Sequence, residues 1–247
     1  MAVGKIVSLL SFLFFFSFHL FSQRSSPSSG KFEEREFERY KGIYEKAMTL
    51  NDFNVATMAC YEMISLMPLR KDLNDTLAML YYAQNAYQQA AIIADDVLKI
   101  NPDNRNIREL SAMSFDQIGD LERALSQYTE LYRRFGELYY LYKCASIEFL
   151  LKNFERSENH LNALIQNPLA QKQTITMALN AQTAETQQIL LSAAAYNIKG
   201  VIAMESQKFT EAKANFDKAL ELSPGFRNAQ NNLENLRKKQ NPPLKSP

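Results

Sequence analysis

Apolar residues fall into three patterns along this chain. Residues 6–21 form an almost unbroken run that includes Phe12, Phe14, Phe15, Phe16, Phe18 and Phe21. From Phe32 onward, apolar residues recur at spacings of three and four, which predicts amphipathic helices. These helical segments come in pairs, and their small, aromatic and proline positions return at a period of about 34 residues. A third pattern interrupts the second: residues 173–179 (QTITMAL) alternate polar with apolar and carry β-branched Thr and Ile, as a strand does.

The clearest unit is the last, 193–226, with Tyr196, Gly200, Phe209, Ala212, Phe216, Ala219 and Pro224. Residues 37–70 repeat it with Tyr40, Phe53, Ala56, Cys60, Met63 and Pro68, and residues 71–104 with Ala78, Tyr81, Tyr87, Ala90, Ala94 and Pro102. Residues 105–137 supply Ala112, Phe115, Gly119, Leu121, Ala124 and Tyr128, with Gly136 in place of the terminal proline. Residues 138–171 supply Ala145, Phe154, Ser157, Leu161, Leu164 and Pro168. Asn51, Gly119 and Asn153 fall at the turns inside their units, where Gly and Asn suit left-handed or capping geometry.

These units resemble the tetratricopeptide repeat, and the AAAYN-type start of the last one is similar to exported repeat proteins of the Bacteroidetes. The resemblance implies an all-α fold, a right-handed solenoid of about five helix-turn-helix repeats. Gly200 and Ala212 are small where the two helices of a unit approach closely, and Pro224 ends the second helix by removing a donor. Residues 227–240, with Ala229, Leu233 and Leu236 on one face, read as the polar capping helix that such arrays need.

About 21 residues, 172–192, are inserted between the fourth and fifth units, since Phe154 and Phe209 stand further apart than the period allows. Two readings stand. Residues 173–179 and 186–191 form a β-hairpin around a turn at 180–185, or the following helix extends backward through AETQQILLSAAAY; the alternation favours the hairpin.

The apolar run with Lys5 before it and a polar stretch after it reads as a signal peptide over 1–23, which predicts export to the periplasm; an uncleaved run would anchor the chain in the inner membrane. Residues 24–31, rich in Ser, Pro and Gly, read as a flexible linker, and 241–247, with three prolines, as a disordered tail. Order is expected from about Phe32 to residue 240.

Hydrophobic content of 46% and charged content of 22% support a folded domain with a substantial core. With Lys+Arg at 28 and Asp+Glu at 27, loss of Lys5 leaves no formal net charge, and neither nucleic acid nor an anionic membrane is an expected partner. Cys60 and Cys144 sit at helix-interface positions and read as free, buried thiols.

Chemistry has little to stand on. His160 is the one histidine beyond the leading run, and it lacks the partners that metal binding or proton transfer requires. The glycines are dispersed, which removes phosphate-binding loops. Neither metal nor cofactor is expected, and the chain is read as no enzyme.

The resemblance places a binding surface on the first helices, whose second, fifth, ninth and twelfth positions line a concave groove. Here these are Glu38, Lys41, Glu45 and Met48, then Asp72, Asp75, Met79 and Tyr82, then Asn106, Glu109, Met113 and Asp116. The fourth unit adds Tyr139, Tyr142, Ser146 and Phe149, and the fifth Asn197, Val201 and Met204. Acids at one end and Met and Tyr beyond them suit a protein or peptide partner. Lys41 matches the clamp by which some members hold a chaperone's terminal carboxylate, but Glu45 stands where Asn is expected, which disfavours that role. The expected function is a non-catalytic scaffold or adaptor in the cell envelope. The alternative is a structural subunit of an envelope assembly or secretion complex, docked through the insert or the convex face.

Overall fold

A computed structural model describes residues 27–178 and 185–240. The 1–23 stretch read as a signal peptide and the 241–247 stretch read as a tail lie outside the described residues, as does most of the turn expected at 180–185. Ten helices form five antiparallel pairs. They are α1 (Pro27–Thr49) with α2 (Phe53–Leu66), α3 (Asp72–Ala83) with α4 (Tyr87–Ile100), and α5 (Arg105–Ile118) with α6 (Leu121–Phe135). The array continues with α7 (Leu138–Leu150) and α8 (Phe154–Gln166), α9 (Leu191–Glu205) and α10 (Phe209–Leu222), and ends on α11 (Arg227–Gln240). Between α8 and α9 lie a short 3-10 turn, Pro168–Gln171, and an antiparallel hairpin of β1 (Thr174–Ala178) and β2 (Thr186–Leu190).

Each pair turns in the same way. A left-handed residue follows the first helix, at Asn51, Asn85, Gly119, Lys152 and Gln207. The next residue's N–H then reaches back to a carbonyl of the helix: Asp52 to Ala47 and Asn153 to Glu148 at 2.9 Å, Lys208 to Ala203 at 2.8 Å. These bonds satisfy carbonyls that the helix end would otherwise leave orphaned. In the fourth pair the left-handed residue is Lys152, one place before the expected Asn153, whose side chain instead donates to Glu148 at 2.8 Å. Asp52 and Asp120 cap the second helices through the backbone N–H of Val55 and Arg123.

Between the helix layers the buried apolar residues form a succession of clusters along the array. Gly200 permits a close approach of α9 and α10, because a Cβ there would run into the Phe216 ring. The first helices touch one another along the inner side, α3 on α5, α7 on α9 and α9 on α11. Helix α1 begins at Pro27, inside the stretch read as a flexible linker. Proline is well placed at a helix start because its missing N–H would be unpaired there anyway, and residues 30–35 of this extension are exposed.

The insert is the hairpin that its alternation predicts. Ile175 and Ile189 are cross-strand partners, 9% and 3% exposed, and both enter the core cluster that contains Tyr142, Ala145 and Leu191. Thr174, Thr176 and Gln188 face outward. Repeats four and five still stack directly through α7 and α9, so the hairpin is laid against the solenoid and does not part it.

Candidate functional site

Each first helix turns one face to the core and another to the concave side, so the inner-face residues share one periodic stripe. At the N-terminal end, Lys41 is exposed and 3.4 Å from Glu38; with Glu45, Tyr44 and Thr76 they line a hollow of about 220 Å³. Met48 does not open into the groove, because it packs half-buried against the first core cluster with Phe53 and Tyr44.

On α3, Met79 stands 47% exposed, and Tyr82 is half-buried with its ring edge-on to Tyr87 at 5.2 Å. Asp75 accepts from the Asn104 side chain at 2.6 Å, and burial raises its pKa above the ordinary carboxylate value. Asp75 and Asp72 also border a hollow of about 400 Å³ between α3 and α4, where Arg70 holds Asp72 and Lys99 holds Asp96.

The centre of the groove is a cluster of tyrosines and carboxylates. Lys143 donates to Asp116 at 2.5 Å and lies over the Tyr128 ring at 5.3 Å. Tyr139 is 38% exposed. Burial, then the charges of Asp116 and Glu109, raise the Tyr139 phenol, and burial does the same to Tyr82, with Tyr87, Tyr139 and Asp116 adding to it. Tyr82, Glu109, Asp116 and Tyr139 thus gather at one place, although they come from three helices. Met113 sits half-buried against Phe115 and Tyr128 and serves packing. Arg105 braces the rim, donating to Glu137 at 2.5 Å and to the Tyr140 hydroxyl at 2.9 Å.

Three residues expected in the groove are covered. Tyr142 is 8% exposed, and its hydroxyl meets the Met177 sulfur of the hairpin at 4.0 Å. Asn197 is 8% exposed and accepts from Asn232 of α11 at 2.9 Å. Met204, 9% exposed, joins a cluster with Leu233 and Leu236 of α11. Helix position predicts the face but not what a later segment lays on it.

Lys143, Glu137 and Tyr140 belong to this site and were missed. Lys143 adjoins an inner-face position, and its charge on a largely apolar helix was the available signal. Both cysteines are free and buried, and burial pushes Cys60 up to about 11. His160 is half-buried, its Nδ1 unpartnered among the described residues, and burial lowers its pKa. Among the described residues no three metal-ligating side chains gather.

Residues 193–226 match the family model of the tetratricopeptide repeat. No curated protein sequence matches the chain. Among solved structures it is similar to YrrB, described as a TPR protein with an unusual peptide-binding site: TM-score 0.59, 11% identity, 78% of this chain and 89% of that one covered. It is also similar to a tetratricopeptide repeat protein from Parabacteroides merdae, with TM-score 0.62, 16% identity and coverage of 83% and 74%. A MamA protein gives 0.60 at 13% identity, covering 87% of this chain and all of that one. At such identities these likenesses establish the fold, and the chemistry of the groove is this chain's own.

Proposed function

We propose that this tetratricopeptide-repeat protein is a non-catalytic scaffold that holds a segment of another protein in its concave groove, and that it works in the cell envelope. One observation carries the groove reading: Met79, Tyr82 and Tyr139 stay accessible on the inner face beside Glu109, on a solenoid whose other large inner-face residues are largely packed away. Accessible Met and Tyr give adaptable, large contact area at low ordering cost, which suits a polypeptide partner. YrrB, which shares the fold, has a peptide-binding site of its own, and this supports a polypeptide as the occupant here. The envelope setting rests on the 1–23 pattern, and no helix of the described residues is long and apolar enough to cross a membrane.

A photo-crosslinking residue placed at Met79 or Tyr139, in the native host, is expected to capture one defined protein. The same residue at Ile92, exposed on the second helix of its pair, is expected to capture none. Equal capture from Ile92, or none from either inner site, sinks the groove reading. Tyr82→Ala with Tyr139→Ala is expected to weaken the captured pair by at least about 10-fold. Tyr142 is unsuited to this test, because the hairpin covers it.

A further inference from the structure

We infer that the open edge of β1 takes up an extended segment of the partner as a third strand, and that this segment carries a basic residue for the tyrosine–carboxylate centre beside it. The inference rests on the groove reading above and names the form and chemistry of what the groove holds.

The edge is identified by the ladder. Leu191 N–H donates to the Gln173 carbonyl at 2.8 Å, so in the antiparallel pairing residues 173, 175 and 177 turn their backbone groups toward β2. The second strand agrees: Leu190 N–H points away from β1, to the Ser223 hydroxyl at 3.1 Å. The backbone N–H and C=O of Thr174 and Thr176 therefore face the other way. Among the described residues nothing pairs with them, whereas the outer edge of β2 is covered by the loop that carries Ser223.

What lies beside that edge is space. A hollow of about 530 Å³ separates β1 from the start of α7, lined by Thr174, Ile175, Thr176, Leu191, Glu137 and Tyr139. A strand added to β1 lies about 4.8 Å from it, inside this hollow. Alternate side chains of the added strand then point to the same side as Ile175, toward apolar Leu191 and the Tyr139 ring. Strand addition draws affinity from backbone bonds and specificity from such alternate pockets.

Charge selects the segment. The inner-face positions of the first three repeats carry Glu38, Glu45, Asp72, Asp75, Glu109 and Asp116, against Lys41 and the Lys143 that neutralises Asp116. Glu109 has no ion-pair partner among the described residues, and it acts on the same Tyr139 that borders the hollow. A Lys or Arg placed there gains an ion pair and the neighbouring Tyr139 ring.

The test uses the chain immobilised and challenged with a display library of random twelve-residue peptides. Enriched peptides are expected to combine alternating apolar residues with Lys or Arg, and the best of them, synthesised, to protect the Thr174 and Thr176 amides from hydrogen exchange. Thr176→Pro removes one outward N–H without touching the β1–β2 ladder and is expected to lower affinity about 10-fold, while Thr176→Val, which keeps the N–H, leaves it unchanged. Glu109→Gln is expected to weaken basic peptides about 5-fold and leave a Lys→Gln version of the peptide unaffected. Far-UV circular dichroism checks that each variant keeps the helical fold; if Thr176→Pro loses it, amide protection and Glu109→Gln decide. Peptides that bind without protecting these amides, or without preference for basic residues, overturn the inference and leave the groove reading standing. A library that yields no binder overturns both. A dimer in solution that Thr176→Pro splits assigns the edge to a second copy and overturns the inference.

Discussion

Lys41, Asp75, Glu109, Tyr142 and Asn197 occupy the same place in five successive first helices, and their surroundings diverge along the array. Lys41 is exposed, Asp75 and Glu109 are half-buried, and Tyr142 and Asn197 are each 8% exposed. The inner face is open over repeats one to three and at Tyr139, where repeat four begins, and it closes beyond that point, by the hairpin at Tyr142 and by α11 at Asn197. An inner-face position is thus a potential contact, which a later segment of the chain can claim first. In these two regions the same helix register has two outcomes, an accessible surface and a packed one.

Substitution at the shared place separates the two regions most strongly. Tyr142→Ala is expected to cost about 3 kcal/mol, since it empties a buried aromatic site, whereas Glu109→Ala is expected to change stability by less than about 0.5 kcal/mol. Chemical denaturation compares them, and equal losses erase the distinction. The twelfth position offers the next contrast. Met204→Ala, which leaves a void against Leu233 and Leu236, is expected to cost about 2 kcal/mol. Removing the partner of a buried amide by Asn232→Ala is expected to cost about 1 kcal/mol, detected as a lower denaturation midpoint.

Smaller effects test whether closure extends beyond the inner face. His160 lies on α8 in the closed half, and burial lowers its pKa. Its contribution is therefore full above the unfolded value near 6.5 and is lost as pH falls through the folded value. His160→Gln is expected to flatten the fall of stability between neutral pH and about pH 5; an unchanged profile assigns that fall to other groups. Cys60 in the open half and Cys144 in the closed half are both expected to resist iodoacetamide at pH 8 until denaturant is added, because burial holds both thiols protonated. Fast labelling of Cys60 alone extends the openness of the N-terminal half into its core.

Elements governed by local rules were legible in the sequence. The period placed the helix pairs, and the alternation of QTITMAL against TQQIL gave both strands of the insert. Asn51 and Gly119 announced left-handed turns, but Lys152 and Gln207 did not. At those two turns the hydrogen bonds of the helix end impose the conformation on residues that lack the signature. The start of α1 was hidden by Ser28, Ser29 and Gly30, poor helix formers next to a proline that tolerates a helix start. Closure over Tyr142, Asn197 and Met204 was illegible for a different reason. It depends on contacts with Met177, Asn232 and Leu236, which lie more than 30 residues away in the chain, and a helix-face argument contains no such term.

The hairpin also sets a length scale. With neighbouring repeats offset by about the 10 Å of a packed helix pair, three repeat steps, from α1 to the start of α7, amount to about 30 Å. An extended chain advances about 3.3 Å per residue, so about nine residues fill it before they meet β1. On the proposed groove reading the hairpin acts as a stop: a bound segment longer than this must turn aside or join the strand that ends the groove.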